Sequence, residues 1–254
     1  MPQRILLALT LLLFFAACGE EVAEPAGTAD GETYFPLELN QPKFYVVDSI
    51  TLFPVVSGIR YDTARLEARE TLVETFTDAE GREWYRGERW ERADASRPWT
   101  FRQTFAVSRD GGTALRREDN LTFTKLTFPL RRGRSWDGHT AFDPSRELVV
   151  GGEFLDVYAN WDYRYGNTDT SYVLPTGITL PSAARVDQAS VDNLIDLRRA
   201  YEVYAPGVGL VERFLDARHT QCIVCCNRET VSCLALPWDE KAEKGFILHE
   251  TLLP

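Results

Sequence analysis

The residues of this chain whose type and spacing could do chemistry are four cysteines near its C-terminal end: Cys222, Cys225, Cys226 and Cys233. An even number of closely spaced cysteines predicts disulfides when a chain is exported, and on that condition we expect two. A bond between the neighbours Cys225 and Cys226 would strain the peptide unit that they share. Two pairings remain open: Cys222 with Cys225 and Cys226 with Cys233, or Cys222 with Cys226 and Cys225 with Cys233.

The same cysteines fit two other kinds of chemistry. Cys222 and Cys225 have the Cys-x-x-Cys spacing of zinc and iron–sulfur ligands, and Cys226, Cys233 or His219 could complete such a set. A redox pair would use the same spacing. Against both, adjacent cysteines followed by one distal cysteine do not form the usual paired knuckles. We therefore expect structural disulfides and no cofactor, and keep a metal or redox site as the alternative.

Catalytic residues are otherwise hard to find in the sequence. His139, His219 and His249 are the three histidines of the chain, and no two of them form a short metal-binding motif. The charged run 116–119 lies in a predicted strand, and we interpret it as solvated surface. Since no nucleophile, acid and base converge in any recognisable motif, the sequence predicts a protein that is not an enzyme.

The N-terminal segment predicts export. Arg4 precedes an apolar run that ends in Ala16-Ala17-Cys18, and this run is too short to span a bilayer. The order of charge, apolar core and small residues resembles the lipobox of bacterial lipoproteins, with 1–17 as the signal peptide and Cys18 as the lipidated residue. Residues 18–33 are acidic and poor in apolar residues, so they form a flexible tether. The protein is thus expected to be lipid-anchored at the outer membrane.

The remaining chain, 34–254, is long enough for one large β domain, with a Cys-rich loop at 219–237. Its acidity restricts the choice of partners, because a net charge of −10 repels nucleic acid and anionic lipid. No nucleic-acid partner is expected. The predicted membrane contact is the lipid anchor.

Alternation of polar and apolar residues predicts strands along nearly all of this domain. It is clear at 65–77, and residues 155–165 show the cleanest alternation. A change of buried face near Thr124 and Lys125 indicates a β-bulge. Residues 173–186 contain two prolines and a glycine, which favour an edge strand or an irregular loop. About nine or ten strands with few helical turns predict a single curved antiparallel sheet or an up-and-down, barrel-like meander.

Three short segments resemble recurring landmarks of uncharacterised Bacteroidetes envelope lipoproteins. They are Tyr34-Phe35-Pro36-Leu37, Val47-Asp48-Ser49-Ile50 and Tyr204-Ala205-Pro206-Gly207-Val208-Gly209-Leu210-Val211. The resemblance implies an envelope lipoprotein with a curved antiparallel sheet and transfers no catalytic residue. Such sheets are also similar to those of periplasmic lipoprotein carriers and lipocalins. We expect a non-catalytic binding or structural module at the periplasmic or cell-surface face, or alternatively a carrier of an apolar ligand or lipid.

Overall fold

The computed structural model describes residues 31–254. The predicted signal peptide, Cys18 and almost all of the tether lie outside these residues. The described part opens with a 3-10 turn at Glu32–Tyr34 and contains fifteen strands and two short α-helices. The strands are β1 (Lys43–Val55), β2 (Gly58–Thr77), β3 (Glu83–Arg92), β4 (Thr100–Arg109), β5 (Thr113–Glu118), β6 (Leu121–Thr127), β7 (Ser135–Trp136), β8 (Leu148–Val150), β9 (Glu153–Leu155), β10 (Tyr163–Tyr165), β11 (Thr170–Val173), β12 (Thr179–Asp192), β13 (Asp196–Ala205), β14 (Gly209–His219) and β15 (Lys244–Leu252). The helices are α1 (Thr230–Leu234) and α2 (Trp238–Lys241).

Thirteen of the strands form one antiparallel sheet. Its order is β6-β5-β4-β3-β2-β1-β15-β14-β13-β12-β10-β7, and β11 also pairs with β12. The strands β8 and β9 form a separate hairpin. The prediction of an all-β protein with one curved antiparallel sheet is confirmed. The predicted number of nine or ten strands is too low, because segments with too few residues to show alternation still pair at the sheet margin.

Two predicted segments have a different structure. Residues 155–165 are not one strand, since β9 ends at Leu155 and β10 begins at Tyr163. Between them the chain turns, and Trp161 donates its indole N–H to the carbonyl of Val157 at 2.8 Å. Val157 and Trp161 pack in one apolar cluster, so the alternation in this segment comes from inward-packing residues of turns. Of the residues 173–186, which we expected to form an edge strand or an irregular loop, 174–178 connect β11 to β12 as a loop. Residues 179–186 belong to the long strand β12, which pairs with strands on both sides and is therefore not an edge strand. Pro181 lies where the register between β11 and β12 shifts, and such an irregularity tolerates a residue without a backbone N–H.

The β-bulge predicted near Thr124 and Lys125 is present. Ala114 pairs with Leu126 and Leu115 pairs with Thr124, so Lys125 is the extra residue on β6. The side chains of Lys125 and Leu126 are both buried. The bulge therefore lets β6 place two consecutive residues in the interior.

The sheet curls until its two end strands meet, which makes it nearly barrel-shaped. Thr124 of β6 donates its backbone N–H to the carbonyl of Gly138, just after β7, at 2.9 Å. The Trp136 indole N–H donates back to the Thr124 carbonyl at 2.9 Å. The Tyr165 hydroxyl donates to the Thr127 carbonyl at 2.9 Å. These bonds satisfy polar groups on strand edges that would otherwise be open.

One end of this barrel is closed by the N-terminal turn of the described chain. Tyr34 and Phe35 join the main apolar cluster, which contains residues from β4, β5, β6, β10, β12 and β13. The backbone N–H of Gly207 donates to the Thr33 carbonyl at 2.8 Å. Arg109 donates to the Phe35 carbonyl at 3.0 Å. The described chain therefore begins at the end of the barrel that carries the β13–β14 turn.

Candidate functional site

A cavity of about 430 Å³ occupies the barrel interior. Aliphatic and aromatic side chains from both halves of the sheet form much of its wall. They include Val47, Leu66, Phe123, Leu148, Tyr158, Trp161, Tyr163, Leu215, Phe246 and Leu248. Inward-facing residues of antiparallel strands alternate with outward-facing ones, so each strand supplies every second residue to this wall.

Charged side chains also line the cavity. We call eight neighbouring charges the charged belt: Glu70, Arg89, Arg116, Glu118, Lys125, Glu202, Arg213 and Glu250. Six of them line this cavity, whereas Glu70 and Arg116 line a smaller cavity beside Phe35 and Pro36. The eight side chains are between 1% and 17% exposed. Four cations and four carboxylates thus share the interior, and a buried charge is tolerated when it is paired and hydrogen-bonded.

One half of the belt is organised around Glu70. Arg116 donates to its two carboxylate oxygens at 2.9 and 2.7 Å. Arg89 donates to Glu70 at 3.0 Å and to Glu250 at 2.7 Å. Arg116 also donates to Glu118 at 2.8 Å. Bidentate and shared guanidinium contacts of this kind fix the orientation of the carboxylates.

The other half is organised around Glu202, which accepts four hydrogen bonds. Lys125 donates at 2.8 Å and Arg213 at 2.9 Å. Gln188 donates at 2.9 Å and the Tyr204 hydroxyl at 2.6 Å. Because these donors come from β6, β12, β13 and β14, the carboxylate joins strands that lie far apart in the chain.

The central carboxylates of the belt, Glu70 and Glu202, are ionised at neutral pH. Burial alone raises the pKa of Glu70, but Arg116 and Arg89 outweigh this and bring the pKa to about 2. Burial likewise raises the pKa of Glu202, and Lys125 and Arg213 lower it to about 2. A general acid or base works best with a pKa near the working pH. These carboxylates are therefore suited to holding fixed charge and not to exchanging protons.

The sequence interpretation missed this belt. Arg116 and Glu118 were interpreted as solvated surface, and that prediction is wrong, because β5 points them into the barrel beside Glu70. The sequence contained one indication of the belt: Glu70 lies between Ala68 and Leu72 on the apolar face of β2. One charge on an apolar face predicts a buried partner of opposite sign, but it does not say where in the chain that partner lies.

The segment between β7 and β10 covers part of the cavity wall with aromatic rings. His139 is 3% exposed and lies within ring-contact distance of Phe123, Phe142, Tyr158 and Trp161. Burial lowers the pKa of His139 to about 4, so the imidazole is neutral at neutral pH. A neutral ring packed among aromatic rings is a structural anchor for this segment and not a proton shuttle.

The β8–β9 hairpin belongs to the same segment and lies against the end of β1. Gly151 has a φ of +59°, and a Cβ added there would lie 2.3 Å from the carbonyl oxygen of Leu52. Lys244 of β15 donates to the Phe154 carbonyl at 2.5 Å. The close backbone approach at Gly151 therefore requires glycine.

The other two histidines stay apart from His139. The imidazole Nδ1 of His219 lies 2.9 Å from a carboxylate oxygen of Asp196. The Nε2 of His249 lies 2.8 Å from an oxygen of Glu212. The three histidines therefore do not form one site.

The cysteine loop differs from the sequence prediction. Among the described residues there is one disulfide, between Cys222 and Cys233, whose Cα atoms lie 5.8 Å apart. Cys225 and Cys226 are thiols with their sulfur atoms 2.9 Å apart. Both predicted pairings are therefore wrong, since each joined Cys222 to Cys225 or to Cys226.

The local backbone explains this pairing. Cys222 has a φ of +59°, which bends the chain at the start of the loop. The side chain of Glu229 caps α1 by accepting the Ser232 N–H at 2.7 Å, and α1 then carries Cys233 back to Cys222. Burial, followed by Cys226 and Glu243, raises the pKa of Cys225 to about 11. This thiol is therefore mostly protonated at neutral pH and a poor nucleophile.

Comparisons with known proteins identify no relative of this chain. No family model matches the chain, no curated protein matches it and no solved structure matches it. Among residues 31–254, no helix is both long and apolar enough to cross a membrane. The interior of the barrel and the cysteine loop are thus the features from which a function can be argued.

Proposed function

We propose that this protein is a non-catalytic binding module of the cell envelope that holds a small amphipathic molecule in its barrel cavity. A lipid on Cys18 anchors it to the outer membrane. The observation that carries the proposal is the cavity of about 430 Å³, whose wall combines apolar side chains with six side chains of the charged belt. Small-molecule sites are concave spaces of about 300–1,000 Å³ with mostly apolar walls and a few placed polar groups.

The distribution of polarity favours an amphipathic ligand. Leu66, Leu215 and Phe246 contribute apolar surface, and Arg89 and Glu202 contribute charge. A wholly apolar ligand would leave the charged groups facing hydrocarbon, which costs free energy. A molecule with one polar and one apolar end satisfies both kinds of wall. For this reason we favour an amphipathic ligand over the purely apolar cargo of the carrier hypothesis.

The lining supports binding without chemistry. The pKa of Glu202 is about 2, and its oxygens are occupied by protein donors. The pKa of Arg213 is raised well above its ordinary value by Glu118 and Glu202, against the effect of burial. Neither group is available to move a proton at neutral pH.

The proposed anchor and the cavity lie towards opposite ends of the domain. Thr33, the last residue of the proposed tether, accepts the backbone N–H of Gly207 at the β13–β14 turn. The cavity lies on the other side of the charged belt, next to the β8–β9 hairpin. An anchored domain would therefore keep the cavity away from its point of attachment.

The charge of the protein argues against a nucleic-acid partner. With a net charge of −10, the chain offers no attraction to nucleic acid.

A cavity-filling variant tests the binding proposal. Ser49 lines the cavity, and Ser49→Trp would fill part of it. We expect saturable binding of the neutral fluorescent probe N-phenyl-1-naphthylamine to the full chain, weakened at least about tenfold (about 1.4 kcal/mol) in the variant. The matched control is Asp48→Trp, because Asp48 is the preceding residue of β1 and points to the opposite face.

Equal probe binding by the two variants and the unmodified chain would contradict the cavity assignment. Native mass spectrometry of protein purified from the envelope identifies the natural occupant. An amphipathic molecule that is lost in Ser49→Trp supports the proposal, whereas a copurifying fully apolar molecule favours the carrier hypothesis.

A second experiment tests the anchor separately. The Cys18→Ser chain is expected to leave the membrane fraction, because the lipid attachment is then lost. An unchanged membrane pool would refute lipid anchoring without touching the cavity assignment. Protease treatment of intact cells then distinguishes cell-surface from periplasmic display.

A further inference from the structure

The disulfide of the cysteine loop leaves two cysteines without a structural role. The Cys222–Cys233 bond already ties α1 to the start of the loop. A further bond between Cys225 and Cys226 would join neighbouring residues and close almost no additional loop. Since disulfide stabilisation grows with the length of the loop that is closed, that bond would add little. The adjacent pair therefore needs another explanation.

The sulfur atoms of the loop converge on one point. Cys225 Sγ lies 2.9 Å from Cys226 Sγ and 3.6 Å from Cys233 Sγ. The three sulfurs lie within 4.8 Å of one another, and Cys222 is bonded to Cys233. In a tetrahedral site with metal–sulfur bonds of about 2.3 Å, neighbouring sulfurs lie about 3.8 Å apart. Two of the observed pairs are closer than this, since Cys222 is bonded to Cys233 and Cys225 lies 2.9 Å from Cys226. The four sulfurs are therefore close enough to move apart into a four-thiolate site once the Cys222–Cys233 bond is reduced.

The backbone holds this grouping in place. Left-handed conformations at Cys222, Asn227 and Arg228, with φ values of +59°, +48° and +68°, fold the loop back on itself. The carboxylate of Glu243 accepts the backbone N–H of Val224 at 2.6 Å, which ties the loop to the residue before β15. Ligands that are held in position before the metal arrives lose less conformational freedom on binding.

We propose that Cys222, Cys225, Cys226 and Cys233 form a thiolate site for Zn²⁺ that opens when the disulfide is reduced. A dithiol reductant donates two electrons and two protons to the Cys222–Cys233 bond and itself becomes a disulfide. Two more thiols are thereby released beside Cys225 and Cys226. Zn²⁺ then binds the four sulfurs, and the thiol protons pass to solvent.

The charge around the loop favours a cation. The carboxylate of Glu243 accepts the backbone N–H groups of Gln221 and Val224, so it lies against the segment that carries the cysteines. A bound dication offsets the negative charge of the thiolates and of this carboxylate.

The test uses the full chain after treatment with dithiothreitol and removal of the reductant under argon. Calorimetric titration with Zn²⁺ is expected to give one ion per chain for the reduced protein and none for the oxidised protein. Cd²⁺ serves as a spectroscopic probe, because its ultraviolet charge-transfer band reports the number of bound thiolates. The band is expected to correspond to four.

Cys225→Ser is expected to weaken Zn²⁺ binding by more than about 100-fold, since loss of an outer-shell partner alone costs about 10–100-fold. Ser232→Ala is the matched control, because Ser232 lies in the same loop and uses its backbone N–H for its hydrogen bond to Glu229. Circular dichroism verifies that each variant keeps the β fold. The proposal is overturned if the reduced chain binds no Zn²⁺, if Cys225→Ser binds it unchanged, or if the Cd²⁺ band shows fewer than three thiolates.

Discussion

Neutralising Glu202 would test whether the charged belt holds the barrel together. Glu202→Gln keeps the size and shape of the side chain but removes its negative charge. Lys125 and Arg213 would then lack the carboxylate to which they donate at 2.8 and 2.9 Å. Gln188 and Tyr204 would still face an amide oxygen. The perturbation is therefore mainly the creation of uncompensated buried positive charge.

The pKa of Glu202 gives the expected magnitude. The folded protein lowers this pKa from 4.5 to about 2. Each pKa unit corresponds to about 1.4 kcal/mol, so the charged form contributes about 3 kcal/mol at neutral pH. Breaking a buried ion pair by removing one partner typically costs about 3–5 kcal/mol. Both lines of reasoning predict a loss of about 3 kcal/mol in the free energy of unfolding.

The sign of the pH dependence provides a second test. A carboxylate whose pKa is lowered by folding stabilises the protein above its unfolded pKa of 4.5, and this contribution is lost as the pH falls towards about 2. A protonated Glu202 and a glutamine are both neutral. The difference in stability between the unmodified chain and Glu202→Gln should therefore be greatest at neutral pH and should narrow below about pH 4.5.

Urea unfolding at neutral pH, with the midpoint and slope fitted for each chain, measures the difference. The matched control is Glu74→Gln. Glu74 pairs with Arg86 on the outer surface, its side chain is 58% exposed, and exposed pairs contribute about 0–1 kcal/mol. If Glu202→Gln costs no more than Glu74→Gln, or if the difference does not depend on pH, the reasoning about the belt is refuted.

Three further predictions concern the segment between β7 and β10, which covers part of the cavity wall, and the cysteine loop. Because the pKa of His139 is lowered from 6.5 to about 4, the protein should lose roughly 3 kcal/mol of stability as the pH falls from about 6.5 to 4 and the unfolded chain takes up a proton; His139→Phe should remove this loss in acid titrations of unfolding. Gly151→Ala should cost more stability than Gly152→Ala in thermal melts, since both glycines have positive φ but only the added Cβ at Gly151 meets backbone; equal costs would contradict the close approach. Removing the Cys222–Cys233 bond should lower stability by about 2–3 kcal/mol and loosen the loop without unfolding the sheet. The unreduced, denatured Cys18→Ser chain should titrate two thiols and not zero or four.

The sequence alone determined the class of fold. Alternation at 65–77 and turn residues between such segments specify antiparallel strands, because the period of two and the turn chemistry are local properties of the chain. The β-bulge at Lys125 was predictable for the same reason, since a change of buried face within one strand needs one extra residue. The turns at 155–165 could not be predicted, because apolar residues that pack inward from turns can show the same alternation as a strand.

Only the tertiary structure decided what occupies the interior. Glu70, Arg116, Glu202 and Arg213 come from different strands, and a polar residue in an alternating segment normally indicates the solvent face. Their burial becomes favourable when the sheet curls and opposite charges meet within hydrogen-bonding distance.

The same distinction applies to the cysteines. Their even number predicted bonding, but Cys222 reaches Cys233 because a left-handed residue and a capped helix bring their Cα atoms to 5.8 Å. Spacing along the chain is a one-dimensional property, whereas charge pairing and disulfide pairing depend on distances that exist only after the chain has folded.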